Sequence, residues 1–200
     1  MTHIPLFSFP RPFLDNDSGF LTALAGDLYV DSNTGKPIPT QDIPKDAGLY
    51  VMDRSGGTSK PGSNEILKVE IPSDCMAIQM GECTQIITGG NVIATPHCVR
   101  GSTLKTNEHV SRCSLACFID TPPQFELKVA NGLSRDDIIK QQKQQNNASG
   151  ERIPSLESRW LYNGMTFGDF LQRTFQMYYN WNNDSSETND TSNGTNDTKE

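Results

Sequence analysis

Three histidines and a modest set of carboxylates are what this 200-residue chain offers for metal or acid–base chemistry. His97 lies in the run NVIATPHCV, where an extended backbone puts Ile93, Thr95, His97 and Val99 on one face. The run SRCSLACFID likewise aligns Arg112, Ser114, Ala116 and Phe118. A guanidinium aimed into an apolar sheet face is costly unless an anion meets it. The guanidinium fork, with a hydroxyl two residues away, suits a carboxylate: two parallel hydrogen bonds and a third donor. Far upstream, Asp15 and Asp17 of the sequence DND share one side of an extended strand. Two carboxylates and a distant imidazole make an oxygen-rich metal site. Plainer readings stand beside these. His97 also fits a packed, hydrogen-bonded core histidine, Arg112 an ion pair with an internal Asp, and DND a loop that caps a strand. His3 falls in an irregular opening and His109 in a polar loop.

The elements that must position these residues are short and strand-like. Runs at 18–31, 48–53, 65–71, 75–80, 91–99 and 111–120 are separated by turn clusters such as RSGGTSKPGSN, PSD, TGG and GSTLKTNE. Many short strands with turns between them predict an all-β sandwich or barrel, and no helical crossover long enough for a parallel sheet intervenes. Residues 32–46 read as a loop rich in Gly, Pro and Asp. Helices come late. Ser134 is an N-cap with Asp137 three residues on, opening a short helix of thin apolar content. A stronger helix covers 166–179, with Phe167, Phe170, Leu171, Phe175 and Tyr178 on one stripe that reads as core packing. Residues 1–13 are irregular and Pro-rich. Residues 182–200 form a polar tail that should be disordered, and its glycosylation sequons are compositional.

The net charge is −7, which argues against nucleic acid or an anionic membrane surface as partner, since both need clustered Lys and Arg. No apolar run approaches the roughly 18 residues of a spanning helix. The opening has no basic segment, and Pro5, Pro10 and Pro12 interrupt it, so it does not read as a signal peptide. The five cysteines, with no CxxC pair, then read as reduced thiols of a cytoplasmic protein, with Cys113 and Cys117 as small buried apolar residues.

Taken in order, several segments resemble the isopenicillin N synthase-like branch of the Fe(II)/2-oxoglutarate-dependent dioxygenases. Asp17-Ser-Gly-Phe-Leu-Thr-Ala-Leu resembles the strand after that family's HxD. Ile71 to Glu82 resembles its QxGE strand, and Thr88 to Arg100 the strand of its distal His. Arg112-Cys113-Ser114 resembles its RxS, while Arg159-Trp160, Gly164 to Phe170 and Tyr178-Tyr179 resemble its closing helix. The likeness covers about residues 14–180. It implies a mainly β fold, a double-stranded β-helix (jelly roll) over 14–181 with C-terminal helices. It further implies Fe(II), with 2-oxoglutarate and O2 as co-substrates, and oxidation of a small molecule. Asp17 and His97 would be metal ligands, and Arg112 and Ser114 would hold the far carboxylate of 2-oxoglutarate. Asp15 stands where the family has its proximal His, which would give one histidine and two carboxylates, a harder donor set. Tyr29, Tyr50 and Gln79 fall on strands that face the expected pocket, and each fits a packed position equally well. The family's N-terminal portion has no counterpart here. Both departures meet near Asp15, as expected of an incomplete chain, and they give an alternative: a catalytically impaired or truncated relic acting as a non-catalytic binding module. Neither the substrate nor the oligomeric state is written in these residues.

Overall fold

The computed structural model describes residues 3–4, 14–52, 66–101, 109–130, 132–146 and 153–186. Its strands are β1 (His3–Ile4), β2 (Leu21–Ala25), β3 (Leu28–Asp31), β4 (Gly48–Met52), β5 (Ile66–Val69), β6 (Met76–Met80), β7 (His97–Arg100), β8 (Val110–Cys113), β9 (Ala116–Ile119), β10 (Glu126–Leu127) and β11 (Met165–Thr166). Its helices are α1 (Glu82–Ile87), α2 (Arg135–Asn146), α3 (Leu156–Arg159) and α4 (Phe167–Ser186). All pairings among the described residues are antiparallel. One sheet runs β1-β5-β4-β7 and another β6-β2-β9, with a β3–β8 ribbon and a β10–β11 pair beside them. The architecture is mainly sheet with late helices. Among the described residues the strands form separate sheets and not one closed barrel. No described helix is long and apolar enough to cross a membrane.

Two runs expected as single strands, 18–31 and 111–120, each break in the middle, and they break together. Leu28 lies opposite Cys113, while Leu24 lies opposite Ala116. Three residues on one strand therefore face two on the other, a β-bulge that lets the pair turn from the β3–β8 ribbon into the β6-β2-β9 sheet. Ala25 N–H reaches Leu115 O across the bulge at 3.1 Å. Gly26 sits in the turn because a Cβ there would come 2.9 Å from Ile71 O. The strand expected over 91–99 starts only at His97. Pro96, with no N–H to give, precedes it and accepts from Met52 N–H at 2.9 Å. The turn clusters expected at 54–64 and 102–108 lie outside the described residues.

Two apolar clusters flank the sheets. Leu14, Tyr50, Met52, Ile66, Cys98 and Ile153 pack on one face of the four-stranded sheet. The larger cluster joins α1 to the late helices through Ile86, Leu127, Ile138, Leu156, Trp160 and Phe170, among others. The box that opens α2 forms: Asp137 accepts from Ser134 N–H and Oγ–H, and Ser134 Oγ accepts from Asp137 N–H. Despite its thin apolar content, α2 buries Ile138 and Ile139. The stripe on α4 is narrower than expected: Phe167 and Phe170 are buried, but Phe175 is 55% exposed. Helix α4 also continues through Ser186, into the stretch expected as an unstructured tail; 187–200 lie outside the described residues. Of the irregular opening, His3–Ile4 pair with β5 and 5–13 lie outside the description. Cys113 and Cys117 are exposed, not buried, because their strands present those positions to solvent; Cys83 and Cys98 are the buried thiols.

Candidate functional site

The segment 14–17 lies beside β7. Asp15 and His97 exchange both backbone hydrogen bonds, at 2.8 and 2.9 Å. On the other side, the chain from Asp17 to Phe20 caps α1: Glu82 N–H donates to Asp17 O at 2.7 Å and Cys83 N–H to Gly19 O at 3.1 Å. Gly81 makes this approach possible, since a Cβ there would lie 2.1 Å from Gly19 O. The DND segment is thereby clamped between a strand and a helix end.

Side chains converge at that clamp. Asp17 Oδ1 is 3.8 Å from His97 Nε2, with the two side chains 12% and 15% exposed. Asp17 Oδ2 accepts from Thr22 Oγ1–H at 2.5 Å and from Gln79 Nε2–H at 2.7 Å. The same Gln79 nitrogen lies 3.0 Å from His97 Nδ1 and 3.3 Å from His97 Nε2. His97 Nδ1 is also 3.3 Å from Thr95 O. Asp15 takes a different partner. Its Oδ1 accepts from Tyr178 O–H of α4 at 2.5 Å and from Asn16 N–H at 2.8 Å. No group of three or more His, Cys, Asp or Glu side chains able to hold a metal ion occurs among the described residues.

Along the same strand faces a cavity of about 380 Å³ opens. Val99, two residues from His97 on β7, and Leu24, two from Thr22 on β2, enter its wall. With Leu49 and Ala116 they form its apolar part, and Arg112, Ser114, Tyr29, Asp27 and Lys68 its polar part. Tyr50, by contrast, is fully buried and donates its hydroxyl to Asp46 O at 2.9 Å, a packed residue. Arg112 is opposite Tyr29 in the β3–β8 ribbon. Its Nη2 pairs with Asp27 Oδ1 at 2.7 Å, and its Nη1 donates to Ser114 Oγ at 3.4 Å. Its Nε is buried with no acceptor among the described residues. Burial pushes the Tyr29 hydroxyl above its ordinary range, and the Asp27 charge adds to that, partly offset by Arg112. The bulge is what brings Asp27 to the guanidinium. The structure thus joins Asp17 with His97 at the clamp and Arg112 with Ser114 in the cavity, and it turns the Asp15 carboxylate to α4.

Behind the clamp lies a second polar assembly that sequence reasoning missed. Glu82 and Arg159 are fully buried and form a bidentate pair, both bonds 2.6 Å. Asn16 Nδ2 and Gln142 Nε2 also donate to Glu82 Oε1, at 3.3 and 3.4 Å. Arg159 reaches Thr174 Oγ1 and Pro154 O as well, and lies over the Phe170 ring. Burial works against the Arg159 charge, yet the facing Glu82 carboxylate outweighs it and the guanidinium pKa rises. Burial, with Asp15 next, pushes the Tyr178 hydroxyl far up. Glu82 is visible in the sequence only as the acidic end of the QMGE run, and its partner is 77 residues away. Gln79 is visible in the sequence only as a polar residue on a strand facing the expected pocket.

No protein-family model matches the chain, and no curated protein does. Among solved structures it is similar to a protein described as a 2OG-Fe(II) oxygenase family member from Caulobacter crescentus, at 17% identity and TM-score 0.49, over 88% of this chain and 44% of that one. It is also similar to a full-length Neurospora crassa protein solved in complex with alpha-KG, at 15% identity and TM-score 0.48, over 86% of this chain and 39% of that one. A protein described as an oxygenase from Shewanella oneidensis matches at 17% identity and TM-score 0.37, over 74% and 44%. The chain spans less than half the length of each of these.

Proposed function

We propose that the chain carries the metal and co-substrate end of an Fe(II)- and 2-oxoglutarate-dependent oxygenase acting on a small molecule. The observation that carries this reading is spatial. Asp17, just before β2, and His97, at the start of β7, are far apart in the chain yet meet beside a cavity that Leu24 and Val99, further along the same two strands, line together with Arg112 and Ser114. The donor types fit. Asp17 oxygen and His97 Nε2 suit a divalent first-row cation, and further positions of such a cation remain for other donors. The buried, unsatisfied Nε of Arg112 fits a ligand carboxylate, with Ser114 Oγ as its neighbour. When bound, Fe(II) and 2-oxoglutarate supply oxidation by O2, with release of succinate and CO2.

The chain's own residues do the rest. Thr22 and Gln79 hold Asp17 Oδ2, leaving Oδ1 toward His97. Thr95 O orients the imidazole. Leu24, Leu49, Val99 and Ala116 present apolar surface to the aliphatic part of a dicarboxylate and limit water there. Arg112 is already bonded to Asp27, so an incoming carboxylate shares the guanidinium with it instead of meeting a bare charge. The test is succinate release from 2-oxoglutarate under Fe(II) and O2, together with a rise in thermal midpoint on adding Mn(II) with 2-oxoglutarate. Absence of both would remove the reading. A second reading, a binding module without turnover, is favoured by one observation: Asp15 is engaged with Tyr178 and stands apart from the Asp17–His97 pair. Ligand-dependent stabilisation without succinate would support it.

A further inference from the structure

The polar wall of the cavity already holds a carboxylate beside the guanidinium. Asp27 Oδ1 lies 2.7 Å from Arg112 Nη2, and each side chain is 20% exposed. Asp27 falls in the link between β2, which ends at Ala25, and β3, which starts at Leu28. Its other oxygen faces the same wall. Asp27 Oδ2, Tyr29 Oη and Lys68 Cε all lie within 3.7 Å of the point where a Cβ on Gly48 would stand. Gly48, at φ +127°, has no Cβ, and the three side chains close over its backbone. The Tyr29 hydroxyl interacts with both Asp27 and Arg112. Lys68, on the same wall, is committed elsewhere: its Nζ donates to Lys45 O at 3.0 Å and stands 3.8 Å from Glu70 Oε1.

This arrangement leaves hydrogen-bond donors for a ligand but not a bare charge. A guanidinium carries five N–H donors. Asp27 takes one on Nη2 and Ser114 Oγ one on Nη1. A carboxylate arriving at the remaining donors meets a second carboxylate on the same cation. Two like charges a few ångströms apart in a partly dry cavity repel. The ion pair therefore has two opposed effects. It keeps the guanidinium matched in the empty cavity, where an unpaired charge is costly, and it withholds part of the attraction from the ligand.

We propose that Asp27 is a specificity-determining residue: an internal counter-ion that weakens the hold of Arg112 and Ser114 on a ligand carboxylate. This rests on the reading of Arg112 as the seat of that carboxylate, and it needs no metal. It makes the cavity a loosely held, readily exchanging seat for anions.

The experiment is a ligand-observed NMR titration of the full chain with 2-oxoglutarate, no metal added, for wild type, Asp27→Asn and Asp27→Glu. Asp27→Asn keeps an oxygen for Arg112 Nη2, removes the charge, and is expected to tighten binding by at least about five-fold. Binding measurable in Asp27→Asn alone supports the inference equally. Asp27→Glu keeps the charge and is expected to bind no more tightly than wild type. If Asp27 serves only to aim the guanidinium, Asp27→Asn binds with a smaller gain, no change or a loss; each overturns the inference and leaves Arg112 as the seat. A gain in Asp27→Glu equal to that in Asp27→Asn overturns it too, since charge is then not the cause. No binding by any of the three overturns both the inference and the reading of Arg112. Should Asp27→Asn fail to fold by circular dichroism, Asp27→Ser, which also loses the charge and keeps an oxygen, is held to the same threshold.

Discussion

Two polar assemblies lie back to back across the DND segment, and they are built to opposite ends. Behind it, Glu82 and Arg159 are fully buried, matched oxygen to nitrogen on both arms, and supported by Asn16, Gln142 and Thr174. In front of it, Asp17 and His97 stay partly open to solvent and 3.8 Å apart, with Gln79 between them. A charge that is dry and fully paired is committed to the fold, because breaking it strands its partner. A charge held by neutral donors and partly open keeps its electrostatic field available to something else. The contrast falls between residues that are neighbours in sequence: Asn16 serves the first assembly and Asp17 the second.

The largest effect that sharpens this contrast is expected at Arg159. Arg159→Ala leaves the Glu82 charge buried with the Asn16 and Gln142 amides but without its guanidinium, and should cost about 3–5 kcal/mol in urea denaturation, enough to unfold a marginal domain. A loss below about 1 kcal/mol would show that water reaches the pair and that the two assemblies differ less than described. Next comes Tyr178→Phe, which removes one bond to a partly buried carboxylate and should cost about 1–2 kcal/mol. The sign of its pH dependence follows from the raised hydroxyl pKa. Stability from the neutral phenol is complete below the ordinary value of 10.0 and is lost as pH climbs above it. Wild type should therefore lose stability more steeply than Tyr178→Phe above that pH, a difference that parallel alkaline denaturation curves would reveal. Ser134→Ala, far from both assemblies, should cost about 1 kcal/mol through the lost helix cap and leave Mn(II) affinity untouched. The smallest effect is expected at Asp17. Asp17→Asn should change the metal-free unfolding free energy by less than about 1 kcal/mol, of either sign, yet abolish Mn(II)-dependent stabilisation. A large loss without metal would place Asp17 with the structural assembly.

What the sequence discloses follows from the range over which each feature is encoded. Strands at 48–52, 66–69 and 76–80 are readable from local apolar runs and turn residues, and the α2 box from Ser134 and Asp137. Asp17, His97, Arg112 and Ser114 stand out by residue type, and the pairing of Arg112 with an internal Asp is one of the two readings its position allows. The shared bulge is invisible, because it depends on two strands far apart in the chain and not on either alone. Helix α1 leaves no mark, since its six residues are too few for a period. The Glu82–Arg159 pair is hidden for the same reason as the bulge: nothing local to Arg159 says that its charge is buried.

The hydrogen bond from Tyr178 to Asp15 closes a loop of 163 residues. Contacts of such separation reward the chain only after nearly everything between them has been ordered, and they slow folding accordingly. The Asp15 carboxylate can therefore take this partner only after the chain has been made as far as Tyr178, and the segment beside the site reaches its final hydrogen bonding late in synthesis.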